Sequence, residues 1–165
     1  MADHSIDFVV FDWYYSNGDL RLDHVLNAYL MVPQDKVSFA LMWANHDEPT
    51  TPNNWRQMVA IWIDRDHLAS PRYVRIDGRP MVMIFSLERL VADAKKSGTT
   101  PKQLVATARS MTAAAKIPEF YFVGRTDDMS IPLVRIDAPA AGIAAISAYN
   151  LHRKTVTDAP TDRFR

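Results

Sequence analysis

The sequence of 165 residues is long enough for one domain with a sizeable core, but it is short of the roughly 250 residues of a complete eight-stranded βα barrel. Lysine and arginine total 19, as do aspartate and glutamate, so the chain carries no basic footprint for nucleic acid or an anionic membrane. Because it contains no cysteine, a disulfide framework, a thiolate zinc site and a cysteine nucleophile are excluded.

The amino-terminal residues lack the charged and then apolar pattern of a signal peptide, and no apolar run approaches the roughly 20 residues of a membrane span. We therefore expect a soluble chain without an export signal, in a compartment that the composition leaves open. We expect no nucleic-acid partner, no membrane partner and no cofactor.

The first part of the chain alternates predicted strands with a predicted helix. Residues 7–15 are β-branched and aromatic, which predicts a strand, and the polar residues 16–19 predict the turn after it. Apolar residues at helical spacing over residues 22–30 predict an amphipathic helix that ends at Pro33. The apolar run 37–42 has no alternation, as expected for a strand buried on both faces.

Polar and aromatic side chains follow this second strand directly, namely Trp43, Asn45, His46, Asp47 and Glu48. Groups in this position lie at the carboxyl end of a parallel sheet, where α/β folds place their ligands. They are therefore candidates for a functional loop. The alternative is that Asn45, Asp47 and Thr50 only form the turn and cap the next helix.

Asp12 stands inside the apolar first strand. A carboxylate in such a position has to be paired, hydrogen-bonded or directed into a site. Asp12 is therefore another candidate functional residue, and the alternative is a structural acceptor for backbone or hydroxyl donors.

The middle of the chain continues the alternation. Asn53 and Asn54 are predicted to cap a helix whose apolar stripe covers residues 55–63. An Asp-Gly turn then leads into a third predicted strand at residues 81–85. Glu88 suits the first turn of the helix that follows, where a negative charge complements the helix dipole.

The last part of the chain is predicted to add two helices, at residues 88–98 and 101–117, and two strands, at residues 120–123 and 142–150. Arg125 lies just past the fourth strand, and the fifth strand ends in Tyr149 and Asn150. These three side chains are further candidates at the carboxyl edge of the sheet.

Five strands alternating with helices predict an α/β fold with about five parallel strands. We expect this fold over residues 1–151, followed by a polar and flexible tail at residues 152–165. A sheet with two open edges exposes unpaired backbone groups, so we also expect self-association through those edges.

Three segments resemble, in their order and spacing, the central part of glycoside hydrolase family 99-like proteins, a group that includes domains found beside polysaccharide-biosynthesis genes. The segments are residues 5–15, 39–47 and 71–85. The resemblance implies a (β/α)8 barrel of the TIM type, of which this chain would form a part, acting on α-linked mannose-containing or related glycans. It also implies retaining cleavage within the glycan chain, with the strand ends after Asp12 and Trp43 in the carbohydrate cleft.

The chain departs from the family in its catalytic residues. The family's Asn-Glu-Trp-x-Glu strand end has no counterpart, and no glutamate follows Glu119. Glycoside hydrolysis ordinarily needs two suitably placed carboxyl groups. An enzymatic version would therefore need Asp47 or Glu48 to act with Asp12, one as general acid and the other as base or nucleophile.

Two classes of function follow. One is a glycoside hydrolase-like domain, and the other is a non-catalytic carbohydrate-binding module or a truncated fragment that holds glycan without cleaving it. A metal site at His46, Asp47, Glu48 and His67 is a weaker third hypothesis, because no His pair at i, i+4 accompanies them. The predicted glycan contacts are Trp13, Tyr14, Trp43, Asn45, His46, Arg125, Tyr149 and Asn150.

Overall fold

The fold is built on a seven-stranded sheet. The computed structural model describes residues 6–16, 18–21, 23–32, 37–65, 67–126 and 138–148. The strands are β1 (Phe8–Ser16), β2 (Asp19–Arg21), β3 (Ser38–Trp43), β4 (Arg75–Ile76), β5 (Arg79–Ile84), β6 (Tyr121–Arg125) and β7 (Ala145–Ser147). The helices are α1 (His24–Met31), α2 (Pro52–Asp64), α3 (Leu87–Lys96), α4 (Pro101–Ala114) and α5 (Ala138–Ala141).

The parallel strands of the sheet stand side by side in chain order. β1, β3, β5, β6 and β7 are parallel neighbours, whereas the short β2 and β4 pair antiparallel with β1 and β5. This order confirms the α/β prediction and is consistent with part of a (β/α)8 barrel, in which the strand order never reverses.

The two faces of the sheet differ in what covers them. Buried residues of all five helices join a single core on one side, with the indole rings of Trp13, Trp43, Trp55 and Trp62 at its centre. The other side, which we call the open face, carries a much smaller cluster of buried apolar residues. That cluster consists of Ala40, Met81 and Val123.

Two local predictions need correction, and two predicted turns prove to be hairpin turns. α2 is capped by Thr51 and not by Asn53 or Asn54, because Thr51 Oγ1 accepts from Asn54 N and Asn54 Oδ1 accepts from Thr51 N in a reciprocal capping box. The predicted turns at residues 16–19 and 77–78 join hairpins, which add β2 and β4. The fifth parallel strand is shorter than predicted and follows α5, whose end is marked by Gly142 at φ +88°.

No helix among the described residues is both long and apolar enough to cross a membrane. The predicted tail at residues 152–165 lies outside the described residues, as do Tyr149 and Asn150.

Candidate functional site

A continuous row of side chains crosses the carboxyl ends of four parallel strands on the open face. The rings of Tyr14 and His46 meet edge to face at 5.7 Å, and those of His46 and Phe85 lie 5.2 Å apart. The guanidinium carbon of Arg125 stands 4.9 Å from the centroid of the Phe85 ring. We call Tyr14, His46, Phe85 and Arg125 the open-face row.

The row follows from the pleat of the strands. Successive side chains of a strand point to opposite faces, so Tyr14 points away from the helices because Trp13 and Tyr15 are buried among them. A depression of about 280 Å³ adjoins the row on the same face. It is lined by Val10, Met42, Met83, Arg125, Ser147 and Ala148.

Two of the three predicted catalytic carboxylates lie near the row. Asp12 is exposed and alternates with Trp13, which places it on the open face. Asp47 Oδ1 is 3.6 Å from His46 Nε2, a weak contact between partly exposed groups. Acidic and aromatic groups are therefore combined on one exposed surface.

Glu48 interacts instead with a side chain on the helix side of the sheet. Tyr15 belongs to the core that the helices cover, and its hydroxyl donates to Gln57 Oε1 at 3.0 Å. Its burial and the negative charges of Glu48 and Asp19 raise the pKa of Tyr15. Glu48 therefore lies close enough to Tyr15 to raise the pKa of its hydroxyl, whereas Asp12 and Asp47 lie near the open-face row.

Asn45 joins the ends of two strands. It is 1% exposed, its Nδ2 donates to Ser86 O at 2.8 Å, and its Oδ1 accepts from Ser86 N at the same distance. Both ends of the amide side chain thus connect the residues that follow β3 and β5, and the predicted contact of Asn45 with glycan stays a prediction.

Glu88 extends this tie to β6. Its Oε2 accepts from Ser86 Oγ at 3.0 Å, and its Oε1 accepts from Thr126 Oγ1. Thr126 is fully buried and directly follows β6. We call Asn45, Ser86, Glu88 and Thr126 the end clamp.

Trp13 and Trp43 do not lie on the open face. Each is 3% exposed, and their rings pack against Trp62 at 5.6 Å and against Trp55 at 5.5 Å, respectively. Their predicted contact with glycan stays a prediction, and in this structure both side chains point toward the helices. Their aromatic area contributes to the core.

Sequence reasoning missed Phe85 as a site residue. The sequence predicts Phe85 as the last residue of a strand, whereas β5 ends at Ile84 and Phe85 lies between His46 and Arg125. The available signal was its place directly before the polar Ser86, which matches the place of other candidates at strand ends.

The predicted metal site receives no support from the described part of the chain. There, no three His, Asp or Glu side chains come together in a group that could hold a metal ion. Tyr149 and Asn150, which are also predicted to contact glycan, lie outside the described residues.

A protein-family model described as "Glycosyltransferase WbsX" matches residues 1–160. No curated protein and no solved structure matches the chain. The family match covers both the open-face row and the end clamp.

Proposed function

The chain belongs to the glycosyltransferase WbsX family, and from this premise we propose that it binds a glycan along the open-face row. The family is carbohydrate-related and agrees with the general resemblance to polysaccharide-biosynthesis proteins. An endo-mannosidase activity is a narrower claim than the family match carries.

The observation that carries the proposal is the row itself. Sugars bind to proteins through aromatic rings together with a few well-placed polar groups. Tyr14, His46 and Phe85 supply rings in sequence across the strand ends, and Asp12 and Asp47 supply acceptors on the same surface. The combination suits an extended saccharide better than a flat apolar ligand.

For the substrate class we propose an α-linked, mannose-type glycan, which is what the resemblance to family 99-like proteins implies. Transfer and hydrolysis both break a glycosidic bond and differ in the acceptor, a sugar hydroxyl in one case and water in the other. In either reaction a general acid protonates the leaving oxygen, and the second carboxylate either attacks the sugar carbon as a nucleophile or, as a base, takes the proton of the attacking hydroxyl or water.

In the enzymatic version we assign these two roles to Asp47 and Asp12. Glu48 is a less suitable partner for Asp12, because it lies near Tyr15, a residue of the core on the helix side. The second candidate function is a non-catalytic glycan-binding module, which is favoured by the absence of the family 99 glutamate motif from the sequence.

The test measures both binding and sugar release with α-mannan oligosaccharides, in the presence and absence of a free sugar acceptor. Asp47→Asn and Asp12→Asn should each reduce release by at least about a hundredfold while changing affinity by less than about threefold. Asp64→Asn, an exposed residue at the end of α2, is the matched control and should release sugar at the wild-type rate.

Binding without release by the wild-type chain would support the module and exclude catalysis on these substrates. Wild-type release that survives in Asp47→Asn but is lost in Glu48→Gln would reassign the second carboxylate. A wild-type chain that neither binds nor cleaves these oligosaccharides would overturn the proposed function.

A further inference from the structure

The end clamp and the open-face row are built from neighbouring residues of the same strand ends. In each of three neighbouring pairs, one side chain belongs to the end clamp and the other to the open-face row. The pairs are Asn45 with His46, Ser86 with Phe85, and Thr126 with Arg125.

We propose that the end clamp positions the open-face row, with Thr126 and Glu88 acting as positioning residues for Arg125. The importance of this role for ligand binding rests on the proposed function. The positioning itself is a property of the unliganded chain and does not depend on which ligand binds.

The carboxylate of Glu88 is the link between two strand ends. It lies in the first turn of α3 and accepts hydrogen bonds from Ser86 after β5 and from Thr126 after β6. Hydroxyl-to-carboxylate hydrogen bonds are shorter and stronger than bonds between neutral groups. This single carboxylate therefore joins the residues that follow β5 and β6, beyond Ile84 and Gly124, the last pair of the backbone ladder.

The relative placement of these residues decides the contact between their neighbours Phe85 and Arg125. Phe85 precedes Ser86 and Arg125 precedes Thr126, so any shift between the two ends changes the 4.9 Å separation of the guanidinium carbon from the ring. Thr126 N also donates to Ser147 O at 3.0 Å, so backbone hydrogen bonding connects Thr126 to β7 as well. Without the hydroxyl, the hydrogen bond from Thr126 to Glu88 is lost while this backbone bond remains.

The experiment compares Thr126→Val with Thr126→Ser. Valine keeps the shape of threonine and removes the hydroxyl, whereas serine restores it. Thr112→Val is the control, because Thr112 is equally buried but lies on α4, where its Oγ1 donates to Arg109 O. Each variant is checked for a cooperative melt, and the side-chain resonances of Arg125 are then recorded by NMR without ligand.

In the wild-type chain the Phe85 ring should shift the Arg125 resonances upfield. We expect this shift to be largely lost in Thr126→Val and kept in Thr126→Ser and Thr112→Val. Affinity for α-mannan oligosaccharides should fall by about tenfold in Thr126→Val alone, the factor that corresponds to one lost polar contact.

A folded Thr126→Val chain with the wild-type Arg125 shift would overturn the positioning role. If that variant does not fold, the same measurement on Glu88→Ala decides, because alanine removes both acceptor oxygens and an unchanged shift there would overturn the positioning role equally. A wild-type chain that fails to bind glycan would overturn the proposed function but leave the shift measurement valid as a test of positioning.

Discussion

Tyr73 is a buried polar residue whose ionisation is linked to stability. It is 3% exposed, and its hydroxyl donates to Met81 O at 2.9 Å. Burial raises the pKa of Tyr73 well above its ordinary value. The folded chain therefore keeps this phenol protonated at pH values where the unfolded chain releases the proton.

This difference in pKa between the folded and unfolded chain adds to the free energy of unfolding. The contribution has its full value below the unfolded pKa of about 10 and is lost as the pH rises above that value toward the folded pKa. For one group the free energy of unfolding should fall by at most about 1.4 kcal/mol per pH unit. Urea unfolding of wild type and Tyr73→Phe from pH 8 to 11 checks this. Equal slopes above pH 10 in the two proteins would contradict it.

At the same scale, the sequence could not predict on which face of the sheet each aromatic side chain lies. Trp13 and Tyr14 are neighbours of similar character, and nothing local distinguishes them. The choice is made by α2, whose Trp62 packs on Trp13 and leaves Tyr14 to the open face. Only the tertiary contact decides which ring is available to a ligand.

At the scale of elements, α3 packs against β6 at a glycine. A Cβ on Gly124 would stand 2.4 to 2.5 Å from three atoms of the Leu87 side chain, which is itself 2% exposed. The helix and the strand can approach closely only because that Cβ is absent. The same contact holds the first turn of α3, and with it Glu88, beside the end of β6.

We predict that Gly124→Ala destabilises the fold by about 1 to 3 kcal/mol, as overpacking of a buried contact does. The cost should be smaller in a Leu87→Val background, because the shortened side chain relieves the clash. Urea unfolding of both single variants and the double variant gives the coupling energy. Strictly additive costs, or a Gly124→Ala chain as stable as wild type, would contradict the prediction.

Long periodic elements were predictable from the sequence, and short or reciprocal features were not. α4 has an apolar stripe and the Thr100-Pro101 start, and its prediction agrees with the structure to within a few residues. β2 and β4 have only 3 and 2 residues and exist through hairpin pairing, so no periodicity could reveal them. The N-cap at Thr51 depends on its reciprocal hydrogen bonds with Asn54. Several other polar residues nearby could have made an equivalent cap.

At the scale of the whole molecule, the sheet has an edge and a face that the described part of the chain leaves uncovered. β2 pairs with β1 only from Tyr14 onward, so among described residues the first two thirds of β1 has a strand neighbour on one side alone. Phe8 is 44% exposed on this strand, and Met31 of α1 is 82% exposed. Unprotected apolar edges of this kind favour pairing with another chain.

We therefore predict that the isolated chain self-associates at micromolar concentration. Light scattering coupled to size exclusion should give at least twice the mass of one chain. Phe8→Lys should shift the population toward monomer, since a lysine at an edge opposes strand pairing. Ala106→Lys, on the exposed side of α4, should not shift it. A monodisperse wild-type monomer that melts cooperatively would contradict this prediction.

The central claim is that the carboxyl end of the open face binds glycan, and the fold offers a matched pair of arginines to test it. Arg125 stands over Phe85 at 4.9 Å at that end, and Arg79 stands over Tyr121 at 4.7 Å at the amino end of the strands. The measurement is calorimetric titration of α-mannan oligosaccharides into wild type, Arg125→Gln and Arg79→Gln.

We expect Arg125→Gln to weaken binding by about tenfold and Arg79→Gln to change it by less than about twofold, because only the first removes a cation beside the ligand. Equal effects of the two substitutions, or an effect of Arg79→Gln alone, would contradict the placement of the site at the open-face row.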